Sequence, residues 1–281
     1  MGNTISSSLI LDTLAEQVIT TLGNRLAPLT AFSRDFGTDV LTQNANVQVK
    51  KATAGSSTQT NPTNFETGDS TVTNVNVLVK HYSNSFQLSS QERNQGFRLE
   101  NLAAINLQAL SNKIMDIALA PVTTTNFPTN VNVAQTSFVA GNVKTLWASV
   151  AKSDVRNLIL DSVAYSQLLP SDRNAFVPGQ SGAYGFDRVY LNTRWNGAGA
   201  NTYGFACGPE AIAVAAGIPQ IDESIASLMY GSRIVTVDNL GLSVQINYWG
   251  SLSSRTAWAS YDVMFGAALG DNTAGAQVRS A

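Results

Sequence analysis

From Ser89 to Leu119 the chain carries one uninterrupted helical signal, stopped only by Pro121. It begins on Ser89-Ser90-Gln91-Glu92, a capping box in which the Ser89 hydroxyl accepts from the Glu92 amide and the Glu92 carboxylate accepts from the Ser89 amide. Ala103, Leu107, Leu110, Ile114 and Ile117 follow at spacings of three and four, an apolar stripe on one face. A helix over 90–119 is about 45 Å long, far beyond the ~11–12 residues of an average helix. It is the longest rigid element in the chain.

Two strands precede it. Val47 and Val49 alternate with polar residues over Gln43 to Lys51. Over Thr71 to His81, Val75, Val77 and Val79 share one face and Asn74 and Asn76 the other. The connector from Ala52 to Ser70 is rich in Thr, Ser, Asn and Gly. It exceeds the ~12–15 residues beyond which loops of compact domains are functional or disordered. Together these segments predict a long hairpin. After His81 the apolar residues change phase to Tyr82, Phe86 and Leu88, which predicts a bulge or bend near Lys80 to Ser83 that re-aims the strand into another layer.

At the start, Leu11, Leu14, Val18 and Leu22 predict a helix over Leu9 to Leu22, ended by Gly23 and followed by Pro28. Irregular sequence runs on to Val40, so this part reads as an arm without a core of its own. Residues 126–233 have an α/β texture. Val143, Leu146, Trp147 and Val150 mark a helix, and Asn157 to Leu160 a buried strand. Asp161 or Ser162 caps a helix that ends before Pro170, and Arg188 to Leu191 is a strand within a Gly- and Asn-rich tract. Pro209 and Gly217 frame a small Ala-rich helix over Glu210 to Ala216. The end is β: Leu242, Val244, Ile246 and Tyr248, then Ala257, Ala259, Tyr261, Val263 and Phe265, form an antiparallel hairpin turning through Gly250 to Ser254. The fold class is mixed α+β.

Hydrophobic residues make up 44% of the chain, enough for a large core, but charged residues only 13%, about half the usual ~25%. Ser, Thr and Asn number 78 against 36 charged residues. The surface is therefore polar and largely uncharged. A net charge of −2 with no basic run excludes a self-sufficient nucleic-acid binder. A single cysteine, Cys207, excludes a disulfide scaffold. No stretch nears the ~18 apolar residues of a membrane span, and no signal peptide is visible. Met1-Gly2-Asn3-Thr4-Ile5-Ser6 has the form of a myristoylation signal, which has meaning only in a eukaryotic cell.

The search for an active site finds little. One histidine, His81, excludes a two-histidine metal site. Cys207 precedes a helix start, where a thiol pKa falls. Gly179-Gln180-Ser181-Gly182-Ala183 misses the nucleophile-elbow pattern at Ala183, and the glycine patterns that cradle phosphates are absent. Asp222 and Glu223 are adjacent and need not face one another. The reading is a protein that is not an enzyme and has no cofactor or metal. A hydrolase using Ser181 or Cys207 with His81 is the alternative from another class.

The order of these parts resembles the Hong Kong 97-type fold of tailed-bacteriophage major capsid proteins, over about Leu9 to Gln277. Tyr203-Gly204-Phe205-Ala206-Cys207-Gly208-Pro209-Glu210-Ala211-Ile212-Ala213 is similar to the stretch that enters a helix of the axial A-domain in these coat proteins. Gly241-Leu242-Ser243-Val244 and Tyr261-Asp262-Val263-Met264-Phe265-Gly266 are similar to their closing strands. The resemblance implies an N-terminal arm over 1–41 and an extended E-loop hairpin over 42–80. It also implies a P-domain over 81–125 and 234–281 with a spine helix at about 90–119, and an α/β A-domain over 126–233. It implies a shell protein whose copies form the hexamers and pentamers of an icosahedral capsid around double-stranded DNA, without sequence-specific binding and without a membrane. Scaffolding, portal and decoration proteins are the partners it suggests, the virion its location, and the host cytoplasm its place of assembly. Lys50, Lys51, Phe65, Glu66 and Asp69 are the candidate contacts between subunits. An encapsulin-like cargo compartment is the alternative with the same fold.

Overall fold

The long stripe of the sequence is the floor of the core. In the computed structural model, which describes residues 7–53, 71–89, 96–150, 153–169, 185–193, 195, 201–251 and 256–280, helix α2 spans Gly96–Leu119. Its 24 residues extend about 36 Å. Leu99, Ala103, Leu107, Leu110, Ile114 and Ala118 are buried along one face, and Ile117 is half-buried. Glu92 of the capping box lies outside the described residues. Helix α1 (Ser7–Arg25) packs against α2 through Leu11, Leu14, Val18 and Leu22, all buried. The N-terminal segment is thus part of the core. The helix runs two residues past Gly23, whose carbonyl accepts from Asn239 Nδ2 at 3.3 Å. Packing there outweighs the tendency of glycine to end a helix.

Above the helices lies a six-stranded sheet. Its path is β1 (Ser33–Leu41), β9 (Ile212–Pro219), β12 (Thr256–Leu269), β11 (Leu242–Ser251) and β10 (Met229–Val237), with β4 (Lys80–Leu88) beside β12. One edge of β12 pairs with β11, while the other pairs first with β4 and then with β9, all antiparallel. The alternation of the closing strands is kept. Leu242, Val244, Ile246, Ala257, Ala259, Tyr261, Val263 and Phe265 are buried in the core cluster that includes both helices.

Two stretches differ from the sequence reading. Residues 33–41, expected to be irregular, form β1, which pairs in parallel with β9. Backbone pairing needs no apolar alternation in the edge strand, so the pattern carried no signal. Glu210 to Ala216, expected to be a helix, splits into a single 3₁₀ turn at Pro209–Ala211 and strand β9, buried at every residue. A strand covered on both faces reads as a continuous apolar run, and periodicity cannot tell it from a buried helix.

Strands β2 (Asn46–Thr53) and β3 (Thr71–Leu78) form the expected hairpin, with Val47 opposite Val77 and Val49 opposite Val75. Their valine face lies over the large sheet, where Val49, Val77 and Val79 pack against Ala213, Ala215 and Met264. At Val79 the chain drops from above the sheet into it, and β4 begins. The drop explains the change of apolar phase: β3 turns its odd residues down onto the sheet, whereas β4 turns its even residues, Phe86 and Leu88, down onto the helices.

A second, five-stranded sheet has the order β5 (Asn130–Asn132), β13 (Gly275–Arg279), β8 (Thr202–Cys207), β6 (Asn157–Leu160) and β7 (Arg188–Leu191). Helices α3 (Ala140–Ser149) and α4 (Ser162–Gln167) cover one face through Val143, Leu146 and Ala164. The other face sends Ile159, Phe205 and Cys207 into the main core. Asp161 is the cap of α4, its side chain accepting from the Ala164 amide at 2.8 Å. The two sheets share chain segments: β9 comes from the stretch 126–233, β10 straddles its end, and β13 comes from 234–281.

The hairpin can lie so close because β12 has a glycine beneath it. A Cβ at Gly266 would collide with the Leu78 carbonyl and press on Val77. Gly266→Ala is expected to lower stability by about 1–3 kcal/mol in urea unfolding, with the hairpin displaced and the helix content unchanged by circular dichroism.

Candidate subunit interface

The large sheet has two chemically different faces. Toward the helices it is apolar. On the other face β11 presents Ser243, Gln245 and Asn247, and β12 presents Ser260 and Asp262, all buried. These side chains form a hydrogen-bonded network across the strands. Gln245 Nε2 donates to Ser232 Oγ at 3.1 Å, Ser232 Oγ to Asn247 Oδ1 at 2.7 Å, and Asn247 Nδ2 to Asp262 Oδ2 at 2.9 Å. Ser260 Oγ also donates to Asp262 Oδ2. His81 of β4 completes the network, its Nε2 lying 2.9 Å from Asp262 Oδ1. Asp262 is the only charged residue of β11 and β12, and three strands, β4, β11 and β12, meet at it, with β10 joined through Asn247.

This network floors an open groove of about 760 Å³, lined also by Ile221, Leu228, Met229 and Trp249. Both Asp262 oxygens are taken, so the carboxylate serves as a strand tie. Cys207 lies in β8, not at a helix start, and is fully buried; burial pushes its thiol far up, and the Glu210 carboxylate acts in the same direction. A protonated, sealed thiol is no nucleophile. Ser181 lies outside the described residues. Among the described residues no three His, Cys, Asp or Glu side chains could share a metal ion, and no helix is long and apolar enough to cross a membrane.

Of the candidate contact residues, two belong to the described part of the hairpin. Lys50 and Lys51 stand opposite Asn74 and Thr73 in the β2–β3 ladder. Phe65, Glu66 and Asp69 lie outside the described residues. Nearer the sheet, the outward face of the hairpin carries exposed Asn46, Gln48, Asn74 and Asn76, with Asn74 Nδ2 donating to Gln48 Oε1 at 3.0 Å. Sequence reading passed over Asp262, although a lone charge in two otherwise uncharged strands was the available signal.

No protein-family model and no curated protein sequence matches the chain. Solved structures do. A virus-like particle from Pyrococcus furiosus superimposes with a TM-score of 0.57 at 10% identity, covering 95% of this chain and 98% of that one. The capsid of Ralstonia phage GP4 gives 0.54 at 10% identity, covering 92% and 89%. Gordonia phage Cozz gives 0.54 at 13% identity, covering 91% and 86%. The chain has the Hong Kong 97-type capsid fold. The expected fold, read from element order, is therefore the observed one. The near-complete coverage in both directions leaves little of the chain outside the Hong Kong 97-type architecture.

Asp262→Ala is expected to cost about 3 kcal/mol in denaturant unfolding, because Asn247 and Ser260 lose a charged acceptor in a buried place. His81→Ala should cost markedly less, since its side chain is 39% exposed and water can replace it. Equal losses for the two variants would contradict the tie described here.

Proposed function

We propose that the chain is the major subunit of a viral shell, self-assembling into the hexamers and pentamers of an icosahedral capsid that encloses the packaged double-stranded DNA of a tailed bacteriophage. The observation that carries this reading is the match over nearly the whole chain to a phage capsid and a virus-like particle. The sparse charge supports it. A shell wall has to bury much of its surface against neighbours, and uncharged polar groups cost less to desolvate than ions. With a net charge of −2 the wall would enclose DNA without gripping it. In this reading the protein is not an enzyme and needs no cofactor. It works in the virion after assembly in the host cytoplasm, with scaffolding, portal and decoration proteins as its further partners.

The parts take their roles accordingly: the arm over 1–41, the E-loop over 42–80, the P-domain with its spine helix over 81–125 and 234–281, and the A-domain over 126–233. The far end of the hairpin reaches a neighbouring subunit, with Lys50, Lys51, Phe65, Glu66 and Asp69 as contacts and Phe65 as the apolar anchor. A second reading is an encapsulin-like compartment enclosing cargo protein, and a match to a virus-like particle fits a shell of either kind.

Electron microscopy of the purified protein, with nuclease treatment of the particles, tests the function. Closed shells that protect double-stranded DNA are the expected result from infected or induced cells. Shells holding protein and no DNA would move the reading to a compartment, and a strictly monomeric protein under all conditions would end both. Deleting residues 54–70 is expected to leave the circular dichroism spectrum of the subunit unchanged and to abolish closed shells. Normal particles from the deletion variant would contradict the assigned role of the hairpin.

A further inference from the structure

Among the described residues the two larger sheets have five edge strands, β1, β4, β5, β7 and β10. Strand β4 starts on Lys80 and His81, and three others are blunted. Strand β1 carries Arg34, Asp35 and Asp39 and an irregularity between Phe36 and Val40. Strands β5 and β7 are three and four residues long. Short length, charge and bulges are the means by which proteins keep sheet edges from pairing. Strand β10 uses little of this. It is nine residues long, its sequence Met-Tyr-Gly-Ser-Arg-Ile-Val-Thr-Val is rich in β-formers, and its single charge, Arg233, is held by Asp12 of α1. Its one irregularity, between Met229 and Gly231, sits at the far end and leaves residues 231–237 regular. Ile234 is 51% exposed on the polar face of the sheet. Along the free edge, alternate residues aim N–H and C=O away from β11.

We propose that the free edge of β10 pairs with β10 of a second copy of the chain, antiparallel about a two-fold axis through Ile234. The sequence of the strand selects this partner and this register. Residues directly opposite must share a face. Centring on Ile234 uses the whole regular stretch, sets Ile234 against Ile234, brings each Ser232 opposite Thr236, and puts each Arg233 opposite Val235. Centring on Arg233 would oppose two like charges, and centring on Ser232 would run the ladder into the irregular end. A strand that is complementary to itself makes an isologous contact, the kind that closes on two copies and stops. The inference rests on the shell reading in one respect: rings of subunits have to be joined to other rings, and a two-fold strand pair supplies such a joint.

The test is Ile234→Cys in the full chain, in particles and in concentrated subunit, with oxidised glutathione as oxidant. The native Cys207 is buried and does not compete. The proposal expects a disulfide-linked dimer on a non-reducing gel and at least a tenfold loss of maleimide labelling on assembly. Asp35→Cys, on the blunted β1 edge, should give no dimer. Wild-type protein provides a readout free of any folding defect: amide exchange over 231–237 should slow at least tenfold on association. Particles whose β10 amides exchange as fast as in the free subunit would overturn the strand pair and leave the shell reading intact. Dimers linked through Ile234→Cys without any particle would support the pair and count against the shell.

Discussion

Everything in this molecule is referred to strand β12. It bonds to β11 along one edge and to β4 and then β9 along the other, so three separate stretches of chain are held in register by fourteen residues. Its odd residues, Tyr261, Val263 and Phe265, meet the helices. Its even residues serve two purposes on the opposite face: Ser260 and Asp262 tie the strands together, while Met264 and Gly266 receive the hairpin. A one-residue slip would exchange the two faces, burying Asp262 among helices and exposing three large side chains. That constraint fixes where the β2–β3 hairpin lies over the sheet.

The second consequence is a chemically quiet face. Across β10, β11, β12 and β4 the face away from the helices carries mainly Ser, Thr, Asn and Gln, with Ile234, Trp249 and Met264 among them and one carboxylate held by hydrogen bonds. Such a face is wettable in a free subunit and can be covered by another chain with a small desolvation cost. Part of the excess of Ser, Thr and Asn in the composition is therefore placed on a face that another chain can cover.

Much of the fold was legible in the sequence, because it rests on periodic patterns that packing enforces. The stripe from Ala103 to Ile114, the valine alternation from Val75 to Val79 and the closing strands each match a buried face. The phase change after His81 was legible as well, and it marks the passage of the chain from above the sheet into it. What stayed hidden has physical reasons. Strand β9 is buried on both faces and so has no alternation to read. Strand β1 is held by backbone bonds that side chains do not report. The union of β13 with β8 joins residues about 70 apart, and no local pattern encodes it. The tie at Asp262 needed the register of three strands before its partners could be named.

The central claim is that this 29.8 kDa chain is built to be covered by copies of itself. Sedimentation velocity of the purified full-length protein, followed across concentration and with lysate of its own producing cells, tests this most directly. The account predicts boundaries for capsomers and for closed particles far heavier than the subunit, with the monomer depleted as they form. A single boundary at the monomer position under every condition would contradict it.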